Sequence, residues 1–279
     1  MFLTIKKMDP HILSDFMVNT KIYVATHKKF DKIKNDDLYT PLLVGAYNSE
    51  DNFGYLCDDV GDNISNRNNQ YSELTGLYWI WKNTSDDIVG LCHYRRYFSK
   101  NIFKSKQIID KTDVLNSLKD HDIIVHQRIY PMSNADLLKG YVNEEFFEKS
   151  KEIFSQIHPE YMKTLEYVYN SKKAYGYSCF VTSKKILDDY CEWLFDYLTV
   201  LEKELKGDKL RILGYYGEVL LSVYVIYNDL NIKNYSLYYM ESRNNLLANS
   251  IDSSLILSKL FYDIERKYVP KITSKLNKK

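Results

Sequence analysis

The sequence predicts an α/β fold, a mixed sheet flanked by helices and carrying a helical insertion. Three observations lead there. Short apolar runs of strand length, at residues 22–25, 88–91 and 122–125, end in or adjoin polar and charged residues. Other stretches repeat their apolar residues at three- and four-residue steps, the pattern of helices that bury one face. Finally, 45% of the 279 residues are apolar, enough for a substantial core and against global disorder.

The elements follow in order. Residues 1–20 read as a variable N-terminal extension. Ile22, Tyr23, Val24 and Ala25 form a first strand that stops at Thr26, His27, Lys28 and Lys29. Pro41 to Val44 suggest a second short element. The stretch LCDDVGDNIS (56–65) is dense in Asp, Gly and Asn and marks a loop. Tyr71, Leu74, Leu77, Tyr78 and Trp81 line one face of a helix over 71–82, with Ser72 and Glu73 at its start. Trp79 and Trp81, two residues apart, fall on different faces. Residues 113–119 read as a short helix and DIIV (122–125) as a buried strand. Residues 144–170 are helical, broken at Pro159. YSCFVT (177–182) is a strand, Ser183 caps a long amphipathic helix over 184–205, and Gly207 closes it. Residues 213–217 read as a turn, 218–227 as a buried helix or strand, and 235–240 as a last strand. One domain over 21–245 results, with the helical insertion at about 128–175 and a helical, basic tail over 246–279.

Bulk properties exclude several classes. A net charge of +1 argues against nucleic-acid binding. No run approaches the roughly 18 apolar residues of a membrane span. The N-terminus lacks the apolar segment of a secretion signal, so a cytoplasmic location is expected. Cys57, Cys92, Cys179 and Cys191 are widely spaced without a CxxC pair, which disfavours zinc and disulfides and leaves buried thiols. The 26 tyrosines serve packing first and sugar contact second.

The most informative stretch is DDIVGLCHYRRYF (86–98). Its strand delivers His93, Tyr94, Arg95, Arg96 and Tyr97 to a carboxyl end, where open α/β sheets bind ligands. Two adjacent guanidiniums are suited to paired hydrogen bonds with phosphate; the alternative is an ion pair with a structural acid such as Asp59 or Asp62. His93 is either a ligand contact or a core histidine. Thr26 and His27 end the first strand and are placed for a nucleotide base or ribose, or merely end it.

IYVATHKKF (22–30), GYLCDDVGDNIS (54–65), YSELTGLYWIWKN (71–83), VGLCHYRRYFS (89–99) and YCEWLF (190–195) occur in that order. With these motifs the chain, from about residue 21 to 239, resembles the bacterial capsular and exopolysaccharide glycosyltransferase family catalogued as domain of unknown function 4422. The resemblance implies a GT-A-like, Rossmann-like fold. It also implies transfer of a sugar, of the hexosyltransferase class, from a nucleotide-sugar, expected to be UDP-linked, to a glycan or lipid-linked acceptor. Two departures touch the sugar side. A His/Tyr-rich segment is expected after the DIIV strand, where QRIYPMSNADLLKGYVN stands with His126 only at its edge. An Asn is expected where Ser178 stands.

Roles follow from the resemblance and the chemistry together. Asp59, Asp62 and Asn63 are candidates for ribose or donor-sugar contact, or brace a turn. Tyr71 and Glu73 are expected to face the same crevice, with Glu73 otherwise a favourable first-turn acid. Tyr94 and Ser178 belong to the expected acceptor or sugar pocket. Many GT-A enzymes hold the diphosphate through a metal on Asp-x-Asp. Here the one such triplet, Asp120-His121-Asp122, precedes its strand. Arg95 and Arg96 are therefore expected to neutralise the diphosphate without a cofactor, the alternative being Mn2+ or Mg2+. Glu218, ahead of an apolar run, is the candidate catalytic base; the competing reading is a helix-start acid. The basic tail is a candidate for peripheral contact with an anionic membrane, or a frayed terminus. A non-catalytic sugar-nucleotide or glycan-binding protein is the rival class.

Overall fold

The computed structural model describes residues 18–33, 37–100, 107–205 and 211–240. Nine strands among them form one sheet: β1 (Thr20–Thr26), β2 (Tyr39–Leu43), β3 (Leu56–Cys57), β4 (Ile88–His93), β5 (Arg96–Ser99), β6 (Ile123–Ile129), β7 (Lys173–Ser183), β8 (Ile232–Asn234) and β9 (Ser236–Tyr239). The order is β3-β2-β1-β4-β7-β6-β8, with β5 and β9 attached beside β4. β3, β2, β1 and β4 run parallel, β7 runs antiparallel to both β4 and β6, and β6 is parallel to β8. β4 and β6 therefore point the same way, and their carboxyl ends emerge on one edge with the start of β7 between them.

Burial on both sheet faces explains the strand sequences. In β1, Ile22 and Val24 enter a smaller core with Tyr94, Tyr97, Phe98 and Val181, while Tyr23 and Ala25 enter a larger one. Residues two apart share a face, so an unbroken apolar run fills both cores.

The helices are α1 (Asn68–Tyr71), α2 (Leu74–Asn83), α3 (Lys111–Leu118), α4 (Asn134–Lys139), α5 (Glu144–Ile157), α6 (Met162–Asn170), α7 (Lys184–Glu202) and α8 (Ile212–Tyr227). Their ends follow local chemistry. Asp110 and Asp113 close a reciprocal capping box on α3, Asn143 caps α5 and Ser183 caps α7, each contributing about 1 kcal/mol. Pro159 opens the short 3-10 turn that separates α5 from α6. The helical connection between β6 and β7 thus carries α4, α5 and α6.

Three expectations change. The helix over 71–82 is two pieces, because Ser72 has φ 52° and breaks it. HYRRYF is not one strand end: the chain turns at Tyr94 and Arg95, and β5 returns antiparallel, His93 opposite Arg96, to pair with β9. Residues 213–217 are not a turn but the first half of α8. Gly214 and Gly217 read as turn signals, yet they are there for close approach. A Cβ on Gly217 would sit 2.6 Å from Leu74 Cδ1, and one on Gly214 3.2 Å from Ser72 Cβ. Of the expected extension over 1–20, Thr20 already belongs to β1, while residues 1–17, like Gly207 and the tail from 246, lie outside the described residues.

Candidate functional site

Close packing of α8 on the α1–α2 junction fixes the site. Gly214 and Gly217 press against Ser72 and Leu74, so Glu73, between those two, comes against Glu218, next to Gly217. Glu218 lies in the middle of α8, not at its start, which removes the helix-start explanation. Glu73 precedes α2 and is likewise no first-turn acid.

The edge of the sheet supplies the cations. Arg95 and Arg96 come from the β4–β5 turn, Arg128 from the end of β6, and Arg211 from the residue before α8. Arg96 lies 3.8 Å from the centre of the Tyr177 ring, and Arg128 lies 4.8 Å from the same ring and 4.6 Å from that of Tyr130. Arg95 Nε and Arg96 Nε are buried without a hydrogen-bond partner among the described residues. Such orphaned donors are uncommon and mark places where structure serves something besides its own stability.

Electrostatics at the carboxylates follow from this. Burial and the neighbouring Glu73 push Glu218 up to about 7, against the Tyr177 backbone N–H, Arg96 and Arg128. Burial also raises Glu73, against the Ser178 hydroxyl, Arg96 and Arg211. Ser178 lies beside that carboxylate, although its Oγ completes no well-formed hydrogen bond. Burial, with Arg96 and Arg95 alongside, lowers His93 to about 3, so its imidazole is neutral. Burial and Glu218 raise the Tyr130 phenol.

The backbone around the site is unusual. Ser72, Tyr177, Ser178 and Arg211 all have positive φ, between 50° and 65°. Each costs on the order of 1–3 kcal/mol, and such residues persist only where their surroundings hold them. Tyr177 and Ser178 lie in a bulge of β7, where Gly176 to Cys179 face only His126 of β6. Arg211 donates its N–H to Asn69 O at 2.7 Å. At the rim, Tyr141 stacks on Tyr215 with centroids 3.8 Å apart, and Tyr215 feels the charges of Arg211 and Glu218.

Of the residues singled out from sequence, Glu218, Glu73, Arg95, Arg96, His93 and Ser178 gather here, and Tyr94 and His27 border them: the Tyr94 ring centre lies 4.5 Å from that of His93 and 5.2 Å from the Arg95 guanidinium, and His27 is near enough for His93 to feel its charge. Tyr71, Thr26, Asp59, Asp62 and Asn63 lie apart. Tyr71 is buried and points its hydroxyl at Glu202, 3.2 Å away, instead of sharing a crevice with Glu73. Thr26 Oγ1 is engaged with Lys28 O at 2.6 Å. His27 is exposed and packs edge-on to Tyr94, itself buried in the smaller core. Asn63 donates to Asp59 O and Gly61 O, and Asp62 accepts from the Tyr78 hydroxyl, so that loop braces itself over α2. Asp59 and Asp62 form no ion pair with Arg95 or Arg96. In the Asp120–Asp122 triplet, Asp122 accepts from Asn231 N at 2.7 Å and so ties β6 to the turn before β8. Among the described residues no group of three or more His, Cys, Asp or Glu is set to hold a metal ion. Nor is any of their helices long and apolar enough to cross a membrane.

Sequence reasoning missed Arg128, Arg211, Tyr130 and Tyr177. It also missed Asp58, fully buried, which accepts from Gly45 N, Ala46 N, Ser65 Oγ and Thr75 Oγ1.

Comparisons with known proteins add a family and a fold neighbour. A family model described as a domain of unknown function, DUF4422, matches residues 21–229. The chain is similar to the solved apo structure of WbbM, a bifunctional glycosyltransferase, with a TM-score of 0.71 and 27% identity. The match covers 80% of this chain and 46% of that one, so the chain spans just under half of WbbM. No curated protein matches.

Proposed function

The chain belongs to the DUF4422 family, and on that premise we propose that it is a glycosyltransferase using a nucleotide-sugar, UDP-linked, as donor. The observation that carries this reading is the junction of Glu218 and Glu73 with Arg95, Arg96 and Arg128 at the carboxyl ends of β4 and β6. Ligands of open α/β sheets bind at that edge. The acceptor is a glycan or a lipid-linked glycan of surface-polysaccharide assembly, by the family resemblance.

The chemistry runs as follows. Glu218 carboxylate takes the proton of the acceptor hydroxyl. The acceptor oxygen bonds to the anomeric carbon as that carbon's bond to the diphosphate oxygen breaks. The electron pair leaves with the diphosphate, whose growing charge meets Arg95, Arg96 and Arg128. A base serves best when its pKa lies near the working pH, and about 7 suits a carboxylate that must hold a proton briefly. His93, being neutral, adds no charge and can donate or accept a hydrogen bond. A divalent ion, Mn2+ or Mg2+, is the alternative partner of the diphosphate.

The test is a panel of UDP-sugars read by thermal shift and by turnover. A binding donor should raise the melting temperature and be hydrolysed or transferred. Glu218→Gln should cut turnover by about 10²- to 10⁴-fold while the donor still binds. Normal turnover in that variant removes the base assignment. Donor binding with no hydrolysis or transfer in any condition makes the chain a non-catalytic binder. Activity lost in EDTA and restored by Mn2+ replaces the arginine reading with a metal.

A further inference from the structure

The transfer step uses Glu218 and leaves Glu73 without a task. Yet Glu73 is placed with great economy. The chain reverses at Ser72 with φ 52°, a conformation serine seldom adopts. Two glycines of α8, Gly214 and Gly217, give up their side chains so that the helix can close on Ser72 and Leu74. Thr75 Oγ1, one turn on, donates to buried Asp58 and lies 3.1 Å from Ser72 O, which locks the junction from below. All of this sets Glu73 near enough to Glu218 for its charge to be felt there, in a site already supplied with arginines. Among the described residues neither carboxylate closes an ion pair with those arginines. Two carboxyls that feel each other's charge do not ionise independently.

We propose that Glu73 is a positioning residue for Glu218: the two carboxyl groups form a coupled pair that shares a single proton, and Glu73 thereby sets the charge with which Glu218 meets the acceptor hydroxyl. Near neutral pH the pair carries one negative charge. Accepting the acceptor's proton leaves both carboxyls protonated and neutral, so no second anion stands beside the departing diphosphate. The remaining groups that face Glu218 are Arg96 from β5, Arg128 and Tyr130 at the end of β6, Tyr177 and Cys179 from β7, and Tyr215 on α8 itself. Arg96, Arg211 and the Cys179 thiol face Glu73. The arginines lower both carboxyls together, whereas only the Glu73–Glu218 repulsion makes the titration of one depend on the other. The buried site raises both groups, with Glu218 at about 7, as the pair requires.

The consequence for turnover rests on the transferase reading; the shared proton itself does not. The experiment is a carboxyl-carbon NMR titration of the whole chain labelled with ¹³Cδ-glutamate, from pH 4 to pH 9. The Glu218 signal is assigned by its loss in Glu218→Gln. Both signals should titrate in two steps, each bending where the other ionises. In Glu73→Gln the Glu218 midpoint should fall by about one unit or more and its curve should become a single step. A Glu218 midpoint unmoved in Glu73→Gln overturns the proposal. So do single-step curves for both groups in the unsubstituted protein, a readout that needs no Glu73 variant to fold. With a donor found in the panel above, the acid limb of kcat should move down by the same amount in Glu73→Gln. An unmoved limb alongside a moved NMR midpoint counts against Glu218 as the base and leaves the shared proton standing.

Discussion

Two carboxylate sites lie on one edge of the sheet, Asp58 buried and Glu73 with Glu218 half-buried, and they are built in opposite ways. Asp58 is fully buried and satisfied by two backbone N–H groups and two hydroxyls, all neutral donors from the loops it ties together. Glu73 and Glu218 are pressed together, raised by burial, and surrounded by arginines whose Nε donors at Arg95 and Arg96 lack partners. An acid that holds a structure has its oxygens occupied. An acid that does chemistry keeps them available, at a cost in stability. The first also serves the second, since Asp58 reaches Ser72 through Thr75.

The contrast breaks most visibly under the same chemical change at both sites. Asp58→Asn puts an NH2 group among donors and should cost about 3 kcal/mol in urea unfolding at pH 8. Glu218→Gln should have the opposite sign, stabilising by on the order of 1 kcal/mol at that pH, because it removes a poorly solvated charge beside Glu73. A loss of stability in both would end the distinction. Next in size, Gly217→Ala places a methyl 2.6 Å from Leu74 Cδ1 and should cost about 2 kcal/mol, with turnover falling as Glu218 shifts. Smaller again, Arg96→Ala should weaken UDP binding about tenfold by calorimetry, whereas an alanine at exposed Lys185, paired with Asp189, should leave it unchanged.

The smallest effect is a flat line. His93 at about 3 lies below its ordinary 6.5, so the unfolded chain binds more protons between those values and this group's stability is lost as pH falls. Glu218 at about 7 lies above its ordinary 4.5, so its contribution is present below pH 4.5 and lost as pH rises through 7. Between 4.5 and 6.5 the two slopes oppose, and the pair's net effect on unfolding free energy should nearly cancel. In Glu218→Gln the rising slope should emerge; an unchanged profile would contradict the raised Glu218 carboxyl.

Much of this was legible in the sequence where the signal is local. β1, β4 and α7 announce themselves by apolar runs and periodicity, and Arg95, Arg96, His93, Glu73, Ser178 and Glu218 stand out as polar residues beside such runs. β5 was hidden because its turn, Tyr94–Arg95, contains neither glycine nor proline. The start of α8 was misplaced because glycines that permit close packing look the same as glycines that permit turns. Arg128 and Tyr177 join Arg96 only through strand pairing across long separations, and no local pattern announces that. Asp58 was passed over for its neighbours because nothing in LCDDVGDNIS says which aspartate points inward.

The bulge in β7 has a consequence for how this family can vary in length. From Val125 opposite Phe180 to Gln127 opposite Tyr175, β7 carries three residues more than β6. Three is odd, and strand side chains alternate with a period of two. Phe180 and Tyr175 are five apart, yet they pair with Val125 and Gln127 on one face of β6, so the bulge absorbs the odd step and the ladder on either side keeps its faces. Taking out the three extra residues would leave that ladder in register and remove the stretch that sets Tyr177 beside Arg96 and Ser178 beside Glu73, so a chain shortened here would keep the sheet and lose the site.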